Sequence, residues 1–158
     1  MRVPVELEAL MRIALDEALA APRTGDMPIG ALVVDATGRI LGRGRNRREQ
    51  THDPTAHAEI LAIREACAAL ESSRLDGCTL VTTLEPCVMC AGAALTARVD
   101  RVVFGAWDDK AGAAGSRYDL LRDRRLPLSA EVIGGVLEEH CAAPLREFFR
   151  ANDAATEN

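Results

Sequence analysis

The chain has 158 residues, 48% of them hydrophobic, and a formal net charge of -5. That length suits one ordinary domain whose core needs no staples, and five cysteines at 67, 78, 87, 90 and 141 are too few and too uneven for a disulfide scaffold. No apolar run approaches the roughly 20 residues that span a bilayer, and the acid-bearing start "MRVPVELEALMRIALDEALA" is unlike a signal peptide, so a cytoplasmic protein with no membrane contact is expected.

Leu7, Leu10, Met11, Ala14, Leu15, Ala18 and Leu19 recur at three-and-four spacing and predict an amphipathic helix over 5–21, ended by the Pro22–Gly25 segment. The apolar run "IGALVVD" (29–35), the turn "ATG" and "RILGRG" (39–44) predict a hairpin. A second helix is expected over 54–70, with Asp53 as N-cap and Pro54 at its first position. "CTLVTT" (78–83) predicts a buried strand, and a short helix follows from about Pro86 to Thr96. "RVVFGA" (101–106) is the next strand, and the glycine-rich "DDKAGAAGS" leads to a helical piece around Tyr118–Leu121. "AEVIGGV" (130–136) is the last strand, a helix runs on to Phe149, and the polar residues from Ala151 are expected to fray. Strand–helix–strand units on both sides of the "CVMC" helix imply parallel crossovers and an α/β/α layering of about five strands. With no linker or repeat, residues 1–158 read as a single domain, with its core at about 5–150 and a polar tail over 151–158.

The charge is unevenly spread. "RILGRGRNRR" (39–48) carries five arginines and no acid, against the net negative total. Of 19 basic residues 18 are arginine, whose planar fork matches phosphate geometry. A solvated surface explains this cluster as well as a polyanion site does.

The chemistry concentrates in two segments, "HDPTAHAEILAIREA" (52–66) and "EPCVMCAGA" (85–93). Cys87 and Cys90 are three apart at a helix start, where the helix dipole favours thiolate, and a thiolate pair favours zinc. Of the three histidines, His57 is the expected third ligand; His52 lies in a loop and His140 among acids in the last helix. Two other uses of Cys-x-x-Cys stay open: a redox pair, and a closed structural zinc site that needs a fourth protein ligand. Three ligands and an open position form the catalytic pattern, in which a water is activated and Glu59 is the natural proton carrier. Two helical positions separate Glu59 from His57, roughly 200° of rotation, so on an ideal helix they do not share a face. Asn46 can hydrogen-bond a ring nitrogen or a ribose oxygen, the Pro28–Gly30 stretch can wall a flat base, and Asp108 falls in a loop of the kind that carries sites.

These residues resemble a known family. "HAE" at 57–59 with "PCVMC" at 86–90 matches the H-x-E…P-C-x-x-C signature of the zinc nucleobase deaminases. "PIGALVV", "GRGRN", "HDPTAHAE", "TLEPCVMCAGA", "RVVFGAWDDKAGAAGS" and "LREFFR" are similar, within that superfamily, to the bacterial tRNA-specific adenosine deaminases, over about Glu6 to Arg150. The resemblance implies a three-layer α/β/α cytidine-deaminase-like fold on a central mixed five-stranded sheet, a homodimer, and one zinc ion per subunit. It implies adenosine-to-inosine conversion at the wobble position of a tRNA anticodon loop, with release of ammonia. His57, Cys87 and Cys90 would hold the zinc and Glu59 would shuttle protons. Asn46 would hold the purine, Ile29 would pack on it beside Pro86, and Asp108 would contact the neighbouring ribose. Arg45, Arg47 and Arg48 would meet the RNA backbone.

The chain departs from that pattern in two places. "RRLPLSAEV" has Leu126–Ser129 where the family has an Asn-His pair, and "ANDAATEN" replaces a basic tail. A deaminase of a free purine base or nucleoside such as guanine is therefore the first alternative, and a non-catalytic zinc-stabilised RNA-binding module the second.

Overall fold

Helix α1 (Val5–Ala20) passes into a 3-10 turn over Ala21–Thr24, and Gly25 at φ 79° closes it in the left-handed region that glycine tolerates. The computed structural model describes residues 5–156. The apolar run and its partner form strands β1 (Gly30–Val34) and β2 (Ile40–Arg45), an antiparallel hairpin as expected. Three strands follow, β3 (Thr79–Leu84), β4 (Arg101–Ala106) and β5 (Glu131–Ile133). They complete one sheet in the order β2-β1-β3-β4-β5. β1 is antiparallel to β2 and β3, whereas β3, β4 and β5 run parallel, so the sheet is mixed.

Side chains alternate across this sheet with the period of two that a strand imposes. Ala31, Val33, Leu80, Val102 and Phe104 face one way, under helices α3 (Ala58–Leu70) and α4 (Val88–Thr96). Leu32, Val34, Val81 and Val103 face the other way, against α1 and the last helix, α5 (Glu138–Thr156). The three expected layers are present.

Helix α3 lies unusually close to β2. A Cβ on Gly42 would collide with the Ala62 carbonyl, and one on Gly44 with the Ala58 carbonyl. The small residues Ala58, Ala62 and Ala66 complete that contact, so backbone packs on backbone and the first turn of α3 is held against the sheet.

Several expectations are corrected. The second helix begins at Ala58, not at 54, because Asp53 spends its carboxylate on the Thr55 amide (2.8 Å) and hydroxyl (2.7 Å). This is an Asx turn and not a helix cap. A four-residue helix, α2 (Arg48–Thr51), precedes it. Its Glu49 and Gln50 amides donate to the buried Asp26 carboxylate at 2.6 and 3.2 Å, a partner more than 20 residues away. Pro86 and Cys87 stand outside α4, with Cys87 as its N-cap. Around Tyr118–Leu121 there is no helix; Ala114 pairs with Asp119 in an isolated bridge. Only one crossover between neighbouring parallel strands carries a helix, α4, and β4 reaches β5 through irregular chain. The last strand is confined to Glu131–Ile133. Residues 151–156 are not frayed but continue α5, where Ala151, Ala154 and Ala155 favour helix; Glu157 and Asn158 of the expected tail lie outside the described residues.

Candidate active site

His57 and Cys87 occupy the same kind of position. Each is the N-cap of its helix, with extended backbone (φ -75°, ψ 151° for His57; φ -74°, ψ 177° for Cys87), and neither uses its side chain to cap. Both side chains are thereby free to point away from their helices. Helix α3 starts against the end of β2, where Gly44 meets Ala58, α4 follows β3, and the two caps meet. Nδ1 of His57 is 3.7 Å from Cys87 Sγ and 3.5 Å from Cys90 Sγ.

That spacing fits a metal. Zinc–sulfur bonds of about 2.3 Å and a zinc–nitrogen bond of about 2.0 Å at a tetrahedral angle place N and S about 3.5 Å apart. All three donor atoms lie within 4.8 Å of one another. Among the described residues the cluster has these three members and no fourth. His52 is the left-handed C-cap of α2, His140 is on α5, and Cys141 belongs to the opposite core layer. A closed four-ligand structural site therefore lacks its fourth partner.

Protonation follows the geometry. A hydrogen bond from Cys90 brings the Cys87 thiol down to about 4, with help from His57 and against burial. Cys90 is pushed up as the proton-bearing member of the pair, first by its bond to Cys87 and then by burial. The contact with Cys87 also raises His57 above its ordinary value, overcoming desolvation.

Glu59, 4% exposed, stands against this set. Cys90 Sγ donates to its Oε2 at 3.4 Å, and the Thr82 hydroxyl donates to Oε1 at 3.3 Å. Burial raises its pKa, toward the range where a carboxyl group both takes and gives protons. The rotation argument from an ideal helix does not apply, because His57 is not helical; its cap conformation lets its side chain and that of Glu59 approach one centre.

The other expected residues fall into groups. Ile29 and Asn46 are neighbours, joined by a 3.0 Å bond from the Asn46 amide to the Ile29 carbonyl. The Asn46 carboxamide oxygen accepts the Arg48 amide at 3.1 Å. Asn46 and Arg48 line a cavity of about 530 Å³ with Asp26, Phe148 and Phe149. Arg45 and Arg47 instead open onto a groove of about 580 Å³ shared with Arg43 and Arg64. The Nε atoms of Arg45 and Arg47 are buried there without a hydrogen-bond partner. The three expected RNA-contacting arginines thus divide between two surfaces. Pro86 is buried, and its carbonyl accepts the Ala113 amide at 2.8 Å. Asp108 caps its own turn, its Oδ1 accepting the Lys110 and Ala111 amides at 3.0 and 3.2 Å. A further cavity, about 770 Å³, lies elsewhere, among Asp35, Asp76, Arg98 and Asp100, and none of the candidate residues lines it.

Glu85 was not anticipated. It is 1% exposed and binds the 108–116 loop through partners 23 to 31 positions away. Its place directly before the Pro86–Cys87 motif was the one available signal.

Comparison with known proteins agrees with this geometry. Residues 4–106 match the family model described as the cytidine and deoxycytidylate deaminase zinc-binding region. The tRNA-specific adenosine deaminase of Bacillus subtilis (strain 168) is 50% identical over 143 residues, covering 90% of this chain and 88% of its own length. A solved structure from work on A-to-I editing by tRNA:A34 deaminases at the wobble position superposes with a TM-score of 0.83 at 42% identity, covering 87% of this chain and 99% of the other. A guanine deaminase from Nitrosomonas europaea superposes at 0.79 with 31% identity, over 93% and 86% of the two chains.

Proposed function

We propose, since the chain belongs to the cytidine and deoxycytidylate deaminase zinc-binding family, that it deaminates adenosine to inosine at the wobble position of tRNA. The observation that carries this reading is the convergence of His57 Nδ1 and two cysteine sulfurs on one centre with a buried carboxylate in contact.

In the proposed reaction His57, Cys87 and Cys90 would hold zinc, one ion per subunit. The chemistry zinc would supply there is a water whose pKa falls toward neutrality, a nucleophile for C6 of adenine. Glu59 takes the proton that this water loses and passes it to N1 of the ring. A second transfer through Glu59 moves the proton of the new C6 hydroxyl to the exocyclic amino group, the C6 carbonyl forms as the C6–N6 bond breaks, and ammonia leaves. Water and adenosine are consumed; inosine and ammonia are formed. The raised pKa of Glu59 suits a group that must be a base in one half of the cycle and an acid in the other.

Asn46 orients the purine through its carboxamide NH₂, which remains available while the oxygen holds Arg48. Ile29 provides the apolar wall, Pro86 lines the same pocket, and Asp108 contacts the neighbouring ribose. The base enters splayed out of the anticodon loop, where unstacking is cheaper than in a duplex. Arg45, Arg47 and Arg48 neutralise phosphates along the approach. The enzyme works in the cytoplasm as a homodimer of single-domain subunits. Among the described residues no helix is long and apolar enough to cross a membrane.

A second reading is a deaminase of a free purine such as guanine. It is favoured by the likeness to the Nitrosomonas enzyme and by Leu126–Ser129. Ammonia release measured side by side on an anticodon stem-loop, adenosine, guanine and cytidine decides between them. The stem-loop should be the fastest substrate by a wide margin; rapid turnover of guanine with an inert stem-loop overturns the tRNA reading.

A further inference from the structure

Burying a carboxylate is costly unless its oxygens are fully hydrogen-bonded. Glu85 meets that condition without a cation among the described residues. Its Oε2 accepts the Asp108 amide at 2.9 Å and the Ser116 hydroxyl, and its Oε1 accepts the Ala114 and Ser116 amides at 3.1 and 2.9 Å. Three backbone amides and one hydroxyl converge on one side chain.

These donors come from a segment that makes no helix and no sheet strand. The segment is also tied to the metal-ligand turn through the Cys87–Gly112 bridge and the Ala113 amide on the Pro86 carbonyl. Gly112 is required at that junction, since a Cβ there would fall on the Glu85 carboxylate and the Asp108 carbonyl. The residue two positions before Cys87 therefore grips the loop that presents Asp108.

We infer that Glu85 is a positioning residue, which sets Asp108 at a fixed distance from the Cys87 turn and so couples substrate recognition to the metal centre. This rests on the substrate-contacting role proposed for Asp108. Glu85 itself touches no substrate; it acts through the loop.

Glu85→Gln is the direct test. The carboxamide oxygen can still accept the Ala114 and Ser116 amides and its NH₂ can donate to the Ser116 hydroxyl, but the Asp108 amide then loses its acceptor. Steady-state kinetics on an anticodon stem-loop should show kcat/KM falling roughly tenfold, mainly through KM, at unchanged zinc content. Amide exchange at Asp108 should quicken. In an Asp108→Ala background, Glu85→Gln should add little further loss, because both changes remove the same contact. Losses that multiply, or a fall in zinc content with KM unchanged, overturn the inference. If Glu85→Gln does not fold, Ser116→Ala removes one donor and spares the amides. It should raise KM severalfold in the parent and not in Asp108→Ala; an unchanged KM overturns the inference as well. A parent protein inactive on the stem-loop defeats the tRNA reading instead, and Asp108 exchange in the variants still reports whether Glu85 holds the loop.

Discussion

The Glu59 carboxylate accepts the Cys90 thiol at 3.4 Å while its other oxygen accepts the Thr82 hydroxyl at 3.3 Å. A side chain on α3, one on α4 and one on β3 thus share a contact, and a buried acid is fixed beside the donors that would hold a metal.

Glu59→Ala should remove turnover and leave the metal in place. General acid–base groups contribute about 10²- to 10⁴-fold, so kcat is expected to fall at least that far. Metal analysis of the variant should still find one zinc per chain. Activity near the parent level would refute the proton-shuttle role.

Zinc binding should release protons in a pH-dependent number. Cys87, held at about 4, is already a thiolate at pH 6, whereas Cys90 and His57, both raised, carry protons there. Calorimetry in buffers of differing ionisation enthalpy should give about two protons released per zinc at pH 6 and about one once the pH exceeds the raised His57 value. Affinity should strengthen as pH rises. Chelation should abolish activity and added zinc restore it; a proton count independent of pH would contradict the assigned ligands.

Asn46→Asp separates two tasks of one residue. The aspartate keeps an oxygen for the Arg48 amide but loses the NH₂ assigned to the purine. We expect kcat/KM to drop about tenfold or more with little change in melting temperature. Equal damage to both would mean that Asn46 serves the backbone alone.

Arg45 and Arg47, with their unpartnered buried Nε atoms, should contribute to RNA affinity through phosphate. Changing both to Gln should weaken stem-loop binding and reduce the slope of log affinity against log salt by about 1.4, at roughly 0.7 per single-strand phosphate. Hydrolysis of free adenosine should be unaffected. A salt slope identical to the parent's removes these arginines from the interface.

Gly44→Ala should destabilise the fold, since its Cβ meets the Ala58 carbonyl. Overpacking of this kind costs about 1–3 kcal/mol. Thermal unfolding will register it, and the shift should be accompanied by weaker zinc retention, because α3 carries Glu59 and begins at His57.

Much of the molecule was legible from local pattern. The short apolar runs in 30–34, 79–84 and 101–106 and the spacing of Cys87 and Cys90 are local properties, and they point to the strands and to the His57–Cys87–Cys90 cluster. What local pattern misjudged was decided by distant partners. Asp53–Pro54 has the composition of a helix start, yet Thr55 claims the aspartate and the helix waits for His57. Helix α2 depends on Asp26, and the 108–116 loop depends on Glu85, both far away in sequence. The closeness of Glu59 to the metal cluster also lay beyond helical arithmetic, because a single extended residue, His57, resets the phase.

The two cap positions carry a consequence for charge. Zinc held by two thiolates and a neutral imidazole would be formally neutral, so this donor set would add no net positive charge to the centre. Helices α3 and α4 both begin at candidate metal donors, and each start carries roughly half a positive elementary charge from its aligned peptides. The electropositive bias of this centre is therefore built into main-chain peptides, which a change of side chain leaves in place.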